Sequence, residues 1–193
     1  MKKSKICPNT PAARIFDVFA SIFLIAVLSP LWIIISIIIA SSGGWPIIFC
    51  QKRVGFKGKE FIMYKFRTLR TSQWCKDRTF VSKKDDYRVF PFGKILRSTG
   101  LDELPQILNV IKGEMKFVGP RPFPPMHTDI PDFTKRYDII PGITGLTQII
   151  HTDRKGDKRV YHLDLLYMRK MSLGLDLKIL LLTLIGIFRA KRI

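Results

Sequence analysis

The first feature of the sequence is a long apolar run near its beginning. No Asp, Glu, Lys, Arg or His occurs from Val18 to Gln51, and the most apolar part of this run is residues 18–40. As a single helix this part would rise about 35 Å, which is enough to cross a hydrocarbon core of about 30 Å. The run therefore predicts a helix embedded in a membrane.

Ser29 and Pro30 interrupt the run near its middle. Proline removes one helical hydrogen bond, so we expect a bend there, with the Ser29 hydroxyl bonding the carbonyl of Ile25. Positive charge on both flanks favours the cytoplasmic side for both ends. The basic residues are Lys2, Lys3, Lys5 and Arg14 before the run, and Lys52, Arg53, Lys57, Lys59, Lys65, Arg67 and Arg70 after it. The pattern leaves two structures open: a re-entrant hairpin and a kinked spanning helix.

The chain after the apolar run begins with a pattern typical of strands. Apolar and β-branched residues bounded by glycines predict a β-hairpin, with strands Ile47–Arg53 and Phe61–Thr68 and a turn at Gly55–Gly58. The charge-dense span Arg70–Arg88 lacks apolar periodicity and is predicted to be a loop.

Helical periodicity returns after residue 103. The apolar residues at spacings of three and four are Leu104, Ile107, Leu108 and Ile111. Gly113 is expected to end this helix in the left-handed conformation, and Pro105 to lie in its first turn. Asp102 and Glu103 would then lie at the positive end of the helix dipole.

Two stiff turns and a final apolar helix complete the pattern. The turns are Gly119-Pro120-Arg121-Pro122 and Pro141–Gly145. The predicted last helix, Leu175–Ala190, is strongly apolar and is followed by basic residues. This pattern fits either a helix lying on an anionic membrane surface or an ordinary core helix.

Charge narrows the classes of partner. The chain has 193 residues, with 33 Lys and Arg against 15 Asp and Glu, a net charge of +18. Such a charge predicts a polyanionic partner: nucleic acid, anionic lipid or a phosphorylated substrate. The three cysteines, Cys7, Cys50 and Cys75, have no paired spacing, so we expect reduced thiols and neither a disulfide nor a zinc site.

The candidate chemistry lies at Asp102 and Glu103, which have Arg97 upstream and Arg121 downstream. Cations to hold an anion, a carboxylate to bind a metal and a carboxylate nucleophile are the groups that phosphate chemistry uses. His127, His151 and His162 lack the spacing of metal ligands and are interpreted as structural or surface residues.

The motifs, in their order along the chain, resemble the monotopic phosphoglycosyl transferases, also called bacterial sugar transferases. The matching segments are Arg14-Ile15-Phe16-Asp17, Ser29-Pro30, Tyr64–Thr68, Arg97-Ser98, Leu101–Gln106, Asn109-Val110, Lys112-Gly113, Gly119–Pro122 and Pro141–Gly145. The resemblance implies an α+β, mostly helical fold with a re-entrant hairpin broken at Ser29 and Pro30, a small β-hairpin and amphipathic interfacial helices. It divides the chain into a membrane-embedded part, residues 1–45, and an interfacial catalytic domain, residues 46–193.

The resemblance also implies a reaction. Asp102 would attack the β-phosphate of a UDP-sugar, and polyprenyl (undecaprenyl) phosphate would take the phosphosugar from it. Glu103, with Asp102, would hold Mg²⁺. Arg97 would organise the site, and Lys65 and Arg121 would bind phosphate. Asp164 and Tyr167 match a family-like segment and are given supporting roles.

The expected partners are the UDP-sugar, the lipid phosphate and the cytoplasmic face of a bacterial inner membrane. We expect no nucleic acid and leave a homo-oligomer open. The product would initiate synthesis of a glycan such as an exopolysaccharide.

Two loop positions depart from the family pattern. Ile140 stands where many relatives have arginine, and Ile150-His151-Thr152 stands where small members often have Asn-Gly-Arg. Arg154, Lys155, Lys158 and Arg159 follow and either supply that charge or form a solvated face. The rival hypothesis is a non-catalytic, membrane-anchored basic protein that binds anionic lipid or nucleic acid.

Overall fold

The structure, a computed structural model, describes residues 11–70, 88–125, 133–150 and 158–188. The helices are α1 (Pro11–Gly43), α2 (Pro91–Thr99), α3 (Ile107–Lys112), α4 (Leu146–Ile149), α5 (Lys158–Lys170) and α6 (Leu173–Phe188). The strands are β1 (Ile48–Val54), β2 (Glu60–Phe66), β3 (Lys116–Val118) and β4 (Gly142–Thr144). Short 3-10 helices occur at Phe56–Gly58, Leu101–Gln106 and Phe133–Asp138. The predicted α+β, mostly helical fold is confirmed.

The helix α1 is the one described helix that is long and apolar enough to cross a membrane. Its 33 residues continue through Ser29 and Pro30, so the predicted break into two half-helices is not confirmed. The Ser29 hydroxyl donates to the carbonyl of Ala26 at 2.9 Å, and the prediction of Ile25 as its partner is wrong. The reason is specific: Ala26 is four residues before Pro30, so its carbonyl is the one that loses a helical donor to the proline. The serine replaces that donor and lets the helix continue.

The predicted β-hairpin is present. Strands β1 and β2 pair antiparallel, from Ile48 opposite Phe66 to Val54 opposite Glu60. One face of this hairpin shares a hydrophobic cluster with α1 and α2, whose buried members are Ile35, Ile39, Phe66, Phe90 and Leu96. The C-terminal end of α1 is therefore part of the domain core.

A second sheet was not predicted from the sequence. Strands β3 and β4 pair parallel, with Lys116 opposite Gly142 and Val118 opposite Thr144. The backbones approach closely just beyond β3, because a Cβ on Gly119 would lie 2.7 Å from both the amide nitrogen of Gly142 and the carbonyl oxygen of Ile140. The two glycine-containing turns singled out in the sequence are thus packed against each other.

The C-terminal helices pack on the second sheet and on each other. Tyr167 of α5 donates to Asp176 of α6 at 2.8 Å, and Ile179 of α6 is buried. The opposite face of α6 exposes large apolar side chains, among them Leu173, Leu177, Leu181 and Leu184. The last helix was predicted at Leu175–Ala190 and begins two residues earlier, at Leu173; residues 189 and 190 lie outside the described part of the chain.

Several predictions fall on residues that the structure does not describe. Positions 71–87 of the predicted loop are among them; its ends are joined by a hydrogen bond of 2.9 Å from the Arg70 amide to the Arg88 carbonyl. Others are Cys7, Cys75, His127, His151, Arg154 and Lys155. Of the described residues, Cys50 is a free, exposed thiol, and His162 is exposed with Nδ1 2.7 Å from the Lys158 carbonyl.

Candidate active site

Asp102 and Glu103 lie in the first turn of the 3-10 helix Leu101–Gln106. Gly100 joins this segment to α2 with a φ of 73°, a conformation that a side chain disfavours. The predicted helix thus begins earlier than expected and in 3-10 form, and Pro105 lies inside that first part. Its end is as predicted, because Gly113 caps α3 with a φ of 82°. Asp102 and Glu103 thus lie in a helical segment that is preceded by Gly100 and ended by Gly113.

Glu103 is held by two cations. Lys65 Nζ, on β2, lies 2.6 Å from Glu103 Oε1, and Arg121 Nη2 lies 3.2 Å from the same oxygen. Burial works to raise the pKa of Glu103, but the two cations outweigh it and lower the pKa to about 2. Glu103 is therefore a fixed negative charge at neutral pH.

Asp102 has a different environment from its neighbour. It is 9 % exposed, and burial raises its pKa to about 6, with the charge of Glu103 adding to that effect and those of Lys65, Arg97 and Arg121 opposing it. Two adjacent carboxylates thus have pKa values pushed in opposite directions, an arrangement typical of functional sites. Asp102 is mostly ionised at pH 7 and above, and its carboxylate is largely shielded from water.

Arg97 approaches the site from the last turn of α2. Its Nε donates to the Thr68 hydroxyl at 2.8 Å, which anchors the guanidinium beside the end of β2. The five residues predicted for catalysis and phosphate binding are thus brought together from four elements: Asp102, Glu103, Arg97, Lys65 and Arg121.

Asn109, which the sequence indicated only as part of a motif, connects the elements of the site. It is fully buried, accepts from the Tyr64 amide at 3.1 Å and donates to the Ile62 carbonyl at 2.7 Å. These bonds fix α3 against β2, one residue from Lys65. The feature of the sequence that could have identified Asn109 is its position as a polar residue within an otherwise apolar helical segment.

The two predicted supporting residues are placed differently. Asp164 forms a buried ion pair at 2.8 Å with Arg136, whose guanidinium also donates to the Arg121 carbonyl at 2.7 Å. Burial raises the pKa of Asp164 to about 6, with Arg136 opposing. Tyr167 instead contacts Asp176 and the Val118 carbonyl, and it lies in the packing of α5 on α6 and β3.

The carboxylates fit Mg²⁺ as it usually binds in phosphate-handling sites. Among the described residues, no group of three His, Cys, Asp or Glu converges. Mg²⁺ does not need one, because it commonly takes one or two carboxylates together with waters and substrate phosphates. Both cations on Glu103 contact Oε1, so Oε2 and the Asp102 carboxylate are the oxygens suited to a metal.

The fold and site together define a class of protein: an apolar membrane-type helix packed on an α+β domain whose buried site joins two carboxylates with several cations. Comparison of the sequence with family models gives the family. The model described as "Bacterial sugar transferase" matches residues 8–190, and the chain belongs to this family.

Named relatives agree with the family. The chain is 39 % identical over 186 residues to a UDP-glucose:undecaprenyl-phosphate glucose-1-phosphate transferase of Klebsiella pneumoniae, with 91 % of this chain and 40 % of the relative covered. It is 37 % identical to the Uncharacterized sugar transferase EpsL of Bacillus subtilis (strain 168), covering 88 % and 84 %, and 34 % identical to the Exopolysaccharide production protein PSS of Rhizobium leguminosarum bv. phaseoli, covering 90 % and 93 %. The chain thus spans less than half of the Klebsiella relative and nearly all of the other two.

Proposed function

We propose that this protein transfers a sugar-1-phosphate from a UDP-sugar to polyprenyl (undecaprenyl) phosphate, producing polyprenyl diphosphate-sugar and UMP. The observation that carries the proposal is the buried Asp102, ionised at neutral pH, beside a Glu103 that is held by Lys65 and Arg121. The names of relatives support the substrate classes, since several are undecaprenyl-phosphate glucose phosphotransferases.

The reaction proceeds in two displacements at one phosphorus atom. An Asp102 carboxylate oxygen bonds to the β-phosphorus, and the bond from that phosphorus to the bridging oxygen breaks, so UMP leaves with the bridging oxygen. A phosphate oxygen of the lipid then bonds to the same phosphorus, and the acyl phosphate bond to Asp102 breaks. The free carboxylate is regenerated.

The site's own residues make this attack electrostatically feasible. Arg121 and Lys65 both pair with Glu103 beside Asp102, and in the proposed reaction they bind the donor phosphates. Arg97 keeps a third positive charge near Asp102. Bound Mg²⁺ would neutralise diphosphate charge and make UMP a better leaving group. Glu103 holds the cations in place and offers Oε2 to the metal.

We further propose that α1 is a re-entrant hairpin bent at Pro30, with the domain at the cytoplasmic face of the inner membrane. Both ends of α1 contact the same domain: Arg14 donates to the carbonyls of Val110 and Ile111, and Ile39 is fully buried. Between them, residues 22–30 include no buried side chain. A helix packed on the domain at both ends, with an apolar middle that is not buried, fits a segment that enters the hydrocarbon core and returns. The exposed apolar face of α6 would lie in the same interface.

The topology predicts where both termini lie. Protease-cleavable tags at each end should be cut only in inside-out vesicles, because a hairpin returns to its starting face. The C-terminal tag serves as the internal reference for the cytoplasmic side. Cleavage of the N-terminal tag from the periplasmic side would replace the hairpin with a spanning helix.

Purified protein in detergent, incubated with Mg²⁺, a panel of UDP-sugars and undecaprenyl phosphate, tests the function. We expect release of UMP and a lipid diphosphate-sugar for at least one donor, with both lost when the metal is chelated and restored by added Mg²⁺. Binding to anionic vesicles without turnover of any donor would instead favour a non-catalytic, membrane-anchored basic protein.

A further inference from the structure

The segment from Pro120 to Phe123, which carries Arg121, has no regular secondary structure, yet each of its four carbonyls accepts a hydrogen bond. Four successive oxygens, from Pro120 to Phe123, accept from three parts of the domain: β4, the 3-10 helix Phe133–Asp138 and β1. The Pro120 carbonyl accepts from the Gly142 amide at 3.0 Å, that of Arg121 from Arg136 at 2.7 Å, that of Pro122 from Arg53 at 3.1 Å and that of Phe123 from the Val54 amide at 2.9 Å. Prolines at 120 and 122 cannot donate, so the turn depends on donors from outside it.

Arg136 is the least expected of these donors. Its side chain is 1 % exposed and is paired with Asp164, itself 3 % exposed, at 2.8 Å. A buried ion pair seldom adds net stability, because desolvation of two charges offsets their attraction. The location of the Arg136–Asp164 pair beside the turn that carries Arg121 therefore suggests that the pair serves to position that turn.

Aromatic rings fix the orientation of this guanidinium. The Arg136 guanidinium carbon lies 4.2 Å from the centre of the Phe123 ring and 5.0 Å from that of Phe133, and the two rings are stacked with centres 6.1 Å apart. Cation–π contacts of this kind add to the ion pair and restrict the plane of the group. Arg136 is thus held by a carboxylate and two rings before it reaches the turn.

Arg53 completes the arrangement from strand β1. It donates to the Pro122 carbonyl and also contacts the Gln51 side chain. Two arginines from separate elements therefore hold consecutive carbonyls of the segment that presents the Arg121 guanidinium to Glu103.

We propose that Arg136, fixed by Asp164, is a positioning residue that sets the place of Arg121 for the donor diphosphate. The inference rests on the proposed function and extends it to a residue outside the acidic site. Lysine at 136 keeps the charge but loses the planar group that lies on the two rings and directs Nη2 to both the Asp164 carboxylate and the Arg121 carbonyl. The turn would then move, and Arg121 with it.

A kinetic double-mutant cycle tests this role. Arg136→Lys is expected to lower kcat/KM for the UDP-sugar by about 10- to 100-fold, mainly through KM, since small misplacements of binding groups have effects of this size. In an Arg121→Ala background the same substitution is expected to change kcat/KM by less than about 2-fold, because the residue through which it acts is absent. Asp164→Asn should repeat both results and serves if Arg136→Lys does not fold.

Val160→Ala is the matched control. Val160 lies on α5 in the hydrophobic cluster of Phe123 and Phe133 and is 1 % exposed, so its truncation weakens the same packing but removes none of the groups that bond, pair or stack with Arg136. Its melting temperature should fall by a few degrees with kcat/KM within about 2-fold of wild type. Additive effects in the cycle, or an equal loss in Val160→Ala, overturn the positioning role. Wild-type protein without donor turnover would instead defeat the proposed function.

Discussion

Asp102→Asn protein is expected to form no phosphosugar adduct when incubated with Mg²⁺ and a UDP-sugar in the absence of lipid, whereas wild-type protein gains the mass of one phosphosugar. Turnover with lipid should fall by about 1000-fold or more, because asparagine has no anionic oxygen to attack phosphorus. The substitution nearly preserves side-chain shape. Intact-mass spectrometry measures the adduct, and UMP release measures turnover.

The rate of adduct formation should also depend on pH in a direction that the environment of Asp102 sets. Its pKa is raised to about 6, so the attacking carboxylate is present above that pH and is lost as pH falls through it. Below pH 6 the rate should drop about 10-fold per unit, whereas an ordinary aspartate would stay ionised to about pH 4. Glu103→Gln is the comparison variant for adduct formation, because it removes the second carboxylate of the site and keeps Asp102, the proposed nucleophile.

Normal adduct formation by the Asp102→Asn protein would show that another group is the nucleophile.

Gly142→Ala is expected to destabilise the protein by about 3 kcal/mol or more. A Cβ at this position would overlap the amide nitrogen of Gly119. Neither backbone is free to retreat, because Gly119 donates to the Thr144 carbonyl at 2.9 Å and Gly142 to the Pro120 carbonyl at 3.0 Å. The melting temperature in detergent should fall by about 6–12 °C.

Gly174→Ala is the control for that substitution. A Cβ on Gly174, in the first turn of α6, has no heavy atom within 4 Å. Alanine is also the better helix former, so the melting temperature should stay the same or rise slightly. A Gly142→Ala protein as stable as wild type would mean that β3 and β4 do not approach as closely as described.

Sequence patterns correctly predicted the elements that are determined by residues close together in the chain. The β-hairpin was expected at Ile47–Arg53 and Phe61–Thr68 and lies at Ile48–Val54 and Glu60–Phe66, because alternation and flanking glycines determine it. Gly113 ends its helix as expected for the same kind of reason. The pairing of β3 with β4 was missed, since three-residue strands have no measurable periodicity.

The sequence predicted that Asp102, Glu103 and Arg121 act together and gave Asp164 a supporting role, but it did not indicate most of the residues that connect the elements around them. Asp102, Glu103 and Arg121 are identified by their charges within a short stretch of chain and by resemblance. Arg53, Asn109 and Arg136 act through contacts between residues 15 to 69 positions apart, and no single-sequence pattern reports such contacts. Arg136 in particular is one basic residue among 33.

The helix α1 shares its interior contacts with the domain that follows it. Ile35 and Ile39 pack with Phe66, Phe90 and Leu96, and Trp32 meets the Phe66 ring edge-on at 5.6 Å between centres. Phe66 is the immediate neighbour of Lys65, the cation that contacts Glu103. If α1 lies in the bilayer as proposed, side-chain packing between α1 and the domain determines the height of Asp102 relative to the lipid phosphates. A flexible linker does not determine it. Anchoring and folding are then a single event, and neither can be altered without disturbing the other.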